Sequence, residues 1–479
     1  MKILDELAAC KGQFGREAAR RTIDLLSRLS TVRIRDAGDL IRLHEIVLFL
    51  RAYPQSPRVA RLADSILKSF AERIRGVDAD AFDDPEISGI AGTSVSTNFS
   101  REFAQRLVPR HPGAIEIDWD NFAHPDRLGI VLGRMIPLAY ETYAVEPHVD
   151  WRAWMDANEC DFAWLLERVD APTWDLLEIP LRWKIDPEAS RSSLRLPRRE
   201  LFFHSGSLLK RADVSIESEF AVAPIKLQRL GRSRAEPALG VIVDASAARY
   251  RELHGFEHPD EQRVYHADFG RGVDFIFFGA APAKRLPLRA YHCGMFFKNG
   301  VPAGYVETLS LFERCEVGFN LYYTFREGET AWLYVRILKL LREQLGMTCF
   351  SIDPYQLGHE NEEAIQSGAF WFYYKLGFRP AAPEIFELAS REAAKIAKQP
   401  AHRTSPAVLR RLAERPLFYG ATAADWASFS IERAGVSKAG KELLKSAARF
   451  KRAGEEADYL RWLQRQPALR RQVAGAGSG

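Results

Sequence analysis

Between residues 315 and 346 the chain changes its hydrophobic period within a few positions. In CEVGFNLYYTF, alternate residues separate cleanly. Val317, Phe319, Leu321, Tyr323 and Phe325 fall on one face of a strand, and Glu316, Gly318, Asn320, Tyr322 and Thr324 on the other. In ETAWLYVRILKLLREQLG the apolar residues recur three and four apart, the period of a helix. REGET joins the two runs. Its glycine, Gly328, permits a tight turn, and the first N–H groups of a helix have no partner within it. Such a turn accepts an anion, typically a phosphate.

The neighbouring segments extend the pattern. VDFIFFG, YHCGMFFKNG and VPAGYVETLSLF read as strands before this run, and TCFSID as one after it. Asn299-Gly300 lies between two of them and is the strongest short hairpin signal in the chain. SGAFWFYYKLGFRP then reads as a helix with a core stripe of Phe370, Tyr373 and Tyr374. It stops at Gly377 and leads into a strand beginning at Phe378. Antiparallel strands followed by strand–helix–strand–helix–strand predict an α+β unit with a mixed sheet over residues 236–385.

The flanks are helical in pattern. Residues 1–110 form a helical N-terminal region, with Ser56-Pro57 as an N-cap and first turn, Gly76 as a C-cap, and a loop at 87–100. Residues 111–235 are mixed and mainly helical, with LRWKI and ELFFH as candidate short strands and a linker at 230–240. Residues 386–479 return to helix, Ser405-Pro406 repeats the cap-and-proline start, and the terminal GAGSG is expected to be disordered.

A chain of 479 residues exceeds one ordinary core and suggests two to four structural units. The net charge of +4 is small for this length, so the whole chain does not read as a nucleic-acid binder. Charge is uneven, however: residues 391–479 hold 18 Lys and Arg against 8 Asp and Glu. This basic tail suits either a solvated helical face or an anionic partner such as tRNA or another RNA. The five cysteines, Cys10, Cys160, Cys293, Cys315 and Cys349, are scattered with no CxxC pair, which argues for a reducing compartment and against a zinc knuckle. No apolar run approaches the roughly 20 residues of a membrane helix. Asp5 and Glu6 stand where a signal peptide needs apolar residues, so a cytoplasmic location is expected.

The order strand–loop–helix–strand–helix–strand resembles the second half of the GNAT (Gcn5-related N-acyltransferase) fold. Members commonly carry Asn-x-x-Ala-x-x-x-Tyr-x-Lys-x-Gly-Phe on the last core helix and the strand after it. Here that pattern reads Gln366, Ala369, Tyr373, Lys375, Gly377 and Phe378, departing only in Gln for Asn. The resemblance covers residues 236–385, about a third of the chain. It implies acetyl-CoA or another acyl-CoA as co-substrate, an amine as acceptor, Glu316 as the base that takes the amine proton, and Tyr373 as the acid that protonates the leaving thiolate. Glu307 is a second candidate base. The diphosphate would lie on the loop of Phe325, Arg326, Glu327, Gly328, Glu329, Thr330, Ala331 and Trp332. This loop departs from the family's Arg/Gln-x-x-Gly-x-Gly/Ala, with Phe325 first and Thr330 last. Two carboxylates beside a diphosphate are unfavourable unless they point away.

Asn320, Tyr322, His359 and Asn361 are candidate substrate residues, the last two in a loop at the carboxyl end of a strand, where α/β sites gather. Two other readings stay open. A Fem-type transferase, moving amino acids from aminoacyl-tRNA, suits the altered loop and the basic tail. A non-catalytic scaffold of the same fold suits the altered loop and the large flanks. Other chemistries find less support. His266, His292 and Cys293 suggest a Cys/His pair but lack a third partner or an oxyanion turn. Asp118, Asp120 and His124 have a spacing that can hold a metal but more often caps a helix, and no metal site is expected. GxxxxGK[ST] and a strand-linked GxGxxG are both missing.

Overall fold

The computed structural model describes residues 2–145, 154, 162–451 and 454–474. Cys160 and the terminal GAGSG lie outside the described residues. The fold is mixed α+β, a large mixed sheet with helices around it. Among the described residues no helix is long and apolar enough to cross a membrane.

The chain divides into two compact units. The first comprises residues 1–207, 233–258 and 297–302, and the second residues 208–232, 259–296 and 303–479. In the first unit, helices Lys2–Cys10, Arg16–Thr31, Ala37–Ala52 and Pro57–Lys68 follow the predicted pattern. Ala37–Ala52 is buried on nearly every side from Leu43 onward, so Lys2–Cys10 and Pro57–Lys68 can bury their stripes against it. Ser56 caps as expected, accepting from Val59 N–H at 3.3 Å, with Pro57 behind it. The helix breaks at Ser69, and a short turn, Phe70–Arg73, separates it from Gly76.

This unit also holds a three-stranded antiparallel sheet, β1 (Ser94–Thr97), β2 (Ile115–Ile117) and β3 (Leu181–Lys184), in the order β1-β3-β2. β3 is the predicted LRWKI strand. β1 corrects the loop expected at 87–100: Val95 is fully buried opposite Trp183 and anchors the strand despite its polar neighbours. ELFFH forms no strand. The linker expected at 230–240 is instead the start of the helix Arg232–Ala247. Its proline, Pro237, is outweighed by the burial of Ala235, Ala238, Leu239, Ile242 and Val243.

The second unit carries a nine-stranded sheet of β4 (Leu227–Arg229), β5 (Tyr265–Gly270), β6 (Val273–Gly279), β7 (Ala290–Lys298), β8 (Val301–Leu311), β9 (Arg314–Leu321), β10 (Cys349–Ile352), β11 (Arg379–Pro380) and β12 (Leu417–Tyr419). Their spatial order is β11-β12-β10-β9-β8-β7-β6-β5-β4. All five strand-like runs of residues 273–352 are strands. Asn299 and Gly300 both have positive φ, 49° and 81°, as a two-residue type I′ hairpin needs. β12 corrects the all-helical expectation for residues 386–479. It inserts between β10 and β11, antiparallel to both.

β9 and β10 pair in parallel, joined by the helix Thr330–Leu345, which ends at Gly346 with φ 70°. Their register covers only Cys349↔Arg314, Phe350↔Cys315 and Ser351↔Glu316. β9 runs on to Leu321 while β10 ends at Ile352, so past Glu316 the backbone of β9 has no β10 partner in the register. The chain then forms a 3₁₀ turn at Tyr323–Phe325, which corrects the face assigned from alternation. Tyr323 is exposed, not buried with Phe325, because the strand has already ended.

Candidate functional site

The gap past Glu316 is met by a side chain. Gln356 accepts from Phe319 N–H at 3.2 Å and donates to Val317 carbonyl at 3.1 Å. Its amide thus completes one rung of ladder where β10 has stopped, satisfying backbone groups that are costly to leave unpaired. The Tyr373 hydroxyl lies 3.5 Å from the same Gln356 Oε1. Gln356, in the turn after β10, is the residue the sequence reading did not single out. Nothing in PYQLG distinguishes it from an ordinary loop glutamine.

Tyr373 sits on the helix Ala369–Lys375, which follows Glu362–Ser367 after a break at Gly368 with φ 67°. Tyr373 is buried, and its ring meets Tyr334 and Phe372 edge-on at centroid distances of 5.4 and 5.1 Å. Burial pushes its phenol well above the ordinary tyrosine range. Tyr334 beside it is fully buried, its hydroxyl without a hydrogen-bond partner among the described residues, and burial raises it likewise.

Glu316 lies on β9 and accepts from Arg314 Nη2 at 2.9 Å. Arg314 is itself buried among Phe418, Trp426 and Phe429. Glu307 on β8 stands opposite Gly318, and its carboxylate receives the Tyr291 hydroxyl at 2.5 Å. A side chain at Gly318 would begin 3.7 Å from Gln356 Nε2 and 3.8 Å from Glu307 Cβ. The glycine therefore opens a small space with Glu307 and Gln356 at its edges. Glu316 is two residues from Gly318 on the same strand and shares its face.

The loop before the long helix separates its two carboxylates. Glu329 is buried. It accepts from Arg271 Nε at 3.0 Å and from Leu209 N–H at 3.1 Å, with a further contact to Arg271 Nη2. Arg271 sits in the tight turn between β5 and β6 with φ 52°. Glu327 remains exposed, and Arg326 pairs with Glu363 at 2.5 Å. Thr330 donates to Arg326 carbonyl at 3.1 Å, closing the turn, while Phe325 and Trp332 are buried beneath it.

No protein-family model, curated protein or solved structure matches this chain. Its chemistry is therefore read from its own side chains.

Of the candidate substrate residues, Asn320 is half-buried on β9 opposite Tyr305, and Tyr322 is buried just past the strand end. Asn361 caps the helix Glu362–Ser367, accepting from Ala364 N–H at 3.2 Å. His359 is exposed in the preceding turn. The Cys/His pair does not form: His292 and Cys293 are consecutive on β7 and point to opposite faces. Cys293 is buried, and burial and Glu307 push its thiol far up, leaving it unreactive. His266 pairs with Asp274 at 2.8 Å. Asp118 is fully buried against Ser96 at 2.5 Å, Asn121 at 2.8 Å and Arg182, so its oxygens are committed within the protein.

Proposed function

We propose that the protein is an N-acyltransferase of the GNAT kind, moving an acyl group from acetyl-CoA or another acyl-CoA to an amine in the cytoplasm. The observation that carries this reading is the parting of β9 from β10, with Gln356 standing in as a strand at Val317 and Phe319. The pantetheine arm of an acyl-CoA carries two amides and can take over that rung when Gln356 swings aside. Beyond the same strand end, the long helix begins at Thr330 with no side-chain cap on its first N–H groups, a place suited to a diphosphate. Glu329, the carboxylate nearest this position, is neutralised by Arg271 and turned inward, which removes half of the charge objection to the loop.

The amine attacks the thioester carbonyl, forming a C–N bond, and the C–S bond breaks as the tetrahedral intermediate collapses. Glu316 takes the amine proton, with Glu307 across Gly318 as the second acceptor. β9 backbone N–H groups stabilise the oxyanion. Tyr373 gives its proton to the departing thiolate. Burial raises a thiol as well as a phenol, so the gap between the two, about 1.5 units in water, does not widen merely because both are enclosed.

Calorimetric titration with acetyl-CoA and CoA tests the reading, with Gly328→Glu placing a third carboxylate in the loop. Micromolar binding that this variant loses supports it, and Glu316→Gln then lowers turnover on an amine panel by about 100-fold or more. If neither ligand binds but tRNA shifts in a salt-sensitive way, the basic tail and an aminoacyl-tRNA donor become the better account. Binding without turnover, unchanged in Glu316→Gln and Tyr373→Phe, leaves a non-catalytic scaffold.

A further inference from the structure

The glycines of the central strands differ in what demands them. A Cβ on Gly294 of β7 would lie 2.3 Å from Ile276 carbonyl, and one on Gly304 of β8 would lie 2.2 Å from Asn320 carbonyl, so close packing forbids a side chain at both. Gly318 of β9 is under no such demand. Its φ is not positive, and a Cβ there would meet Glu307 carbonyl at 3.4 Å and Gln356 Nε2 at 3.7 Å, ordinary contact distances. A glycine inside a strand gives up stability, and it often marks a place where a ligand approaches the backbone.

The face that carries Gly318 is open. In the register of β8 and β9, Tyr305 stands opposite Asn320, Glu307 opposite Gly318 and Leu309 opposite Glu316, so these six positions share one face. All six are half-buried, whereas Thr308 and Val317 on the other face are buried. Solvent therefore reaches this face, and Glu316 keeps 21% of its side chain exposed. Both carboxylates are held in place. Tyr291 hydroxyl donates to Glu307 at 2.5 Å, and Arg314 donates to Glu316 at 2.9 Å. Two fixed carboxylates beside a point with no side chain of its own favour a cation there. Farther along the same face the rings of Tyr305 and Tyr322 lie with centroids 6.2 Å apart, an apolar border for a hydrocarbon chain and a π face for positive charge.

We propose that this face binds a primary alkylammonium on an unbranched carbon chain, the acceptor of the acyl transfer, with Gly318 setting its width and Glu307 and Glu316 selecting its charge. The role as acceptor rests on the acyltransferase reading; the cation site stands on its own geometry. A methyl group on Gly318 would already touch Glu307 and Gln356, so the gap between them passes a methylene and not a branch. An α-amino group of an amino acid is excluded twice, by the branch at its carbon and by a carboxylate that would meet Glu307. The bound ammonium gives one proton to Glu316, and the neutral amine that remains is the nucleophile of the transfer described above.

Ligand-observed NMR titration of the full-length protein, free and saturated with CoA, compares n-butylammonium, sec-butylammonium and 1-butanol near neutral pH. The unbranched ammonium is expected to bind about tenfold more tightly than the branched one, and the alcohol not measurably. Gly318→Ala and Glu307→Gln should each weaken n-butylammonium by about tenfold while CoA titrates as in the native protein. Melting temperatures confirm that each variant is folded. If Glu307→Gln fails to fold, Gly318→Ala and the branched comparator decide. Equal binding of the two ammonium ions, binding of the alcohol, or an unchanged affinity in Gly318→Ala overturns the proposal. CoA binding without amine selectivity removes this site alone. Amine selectivity in a protein that binds neither CoA nor acetyl-CoA keeps the cation site and overturns the acyltransferase reading.

Discussion

Glu329 shows what a single residue contributes that its position in the sequence does not reveal. By sequence it is a carboxylate in an anion-accepting loop. In the fold it is a buried anchor between Arg271, 58 residues earlier, and Leu209 N–H. Arg271 is partly exposed, so water takes over some of what the carboxylate gave it, while Leu209 N–H loses its acceptor. Glu329→Ala is therefore expected to cost about 1–3 kcal/mol, read as a lower urea midpoint with unchanged slope. The pair His292 and Glu456 makes a subtler prediction. His292 is pushed down from 6.5 to about 3, so the unfolded chain binds the extra proton below pH 6.5, and the stability His292 confers is lost as pH falls. Glu456 is raised from 4.5, so here the folded state holds the extra proton, and stability is lost as pH rises from 4.5. Between about pH 4.5 and 6.5 the two slopes cancel in the native protein. Glu456→Gln should expose the histidine slope, a loss of about 1.4 kcal/mol per pH unit on acidification, measurable by urea unfolding across that range.

At the scale of elements, legibility followed length and period. The strands of residues 273–352 were readable because each repeats an apolar pattern or abuts a turn signal, and Asn299-Gly300 set the hairpin outright. β12 was not readable. Its three residues, Leu417–Tyr419, are too short to show a period, and their strand identity comes from pairing with Phe350–Ile352 and Arg379–Pro380. The same holds for Gln356, whose role exists only because β10 stops three residues into its pairing with β9. The cue that was present is Gly420, which leaves β12 with φ 126°. A Cβ there would lie 2.2 Å from Thr348 carbonyl, at the entrance to β10. Gly420→Ala is expected to destabilise the protein by about 2–4 kcal/mol through combined overlap and backbone strain. Hydrogen exchange should place the loss first in the amides of β10 and β12. Uniform loss across the sheet would instead make β12 part of one cooperative unit.

At the scale of the whole molecule, the chain visits its two units in alternation. Residues 208–232 are grouped with the sheet unit although residues 233–258 are grouped with the first. Within the sheet unit this short segment is held by the long helix. Lys339, almost fully buried, donates to the carbonyls of Glu219 at 2.9 Å and Val222 at 2.7 Å and pairs with Glu343 at 3.0 Å. Ile225 N–H donates to Glu343 at 2.8 Å, and Leu227–Arg229 closes the sheet edge as β4 against β5. A composition-based cut at residue 235 falls inside a helix and discards Glu219, Val222, Ile225 and β4. The buried Lys339 ammonium would then face the loss of its carbonyl ligands, and β5 would become a bare edge open to other chains. A fragment of residues 208–479 should accordingly be more soluble and unfold at a higher urea concentration than one of residues 236–479. Size-exclusion profiles and unfolding midpoints of the two compare them directly. In the longer fragment, Lys339→Met tests the cause: if the segment is tethered as described, it loses protection at residues 219–229 while the hairpin of β5 and β6 keeps its own.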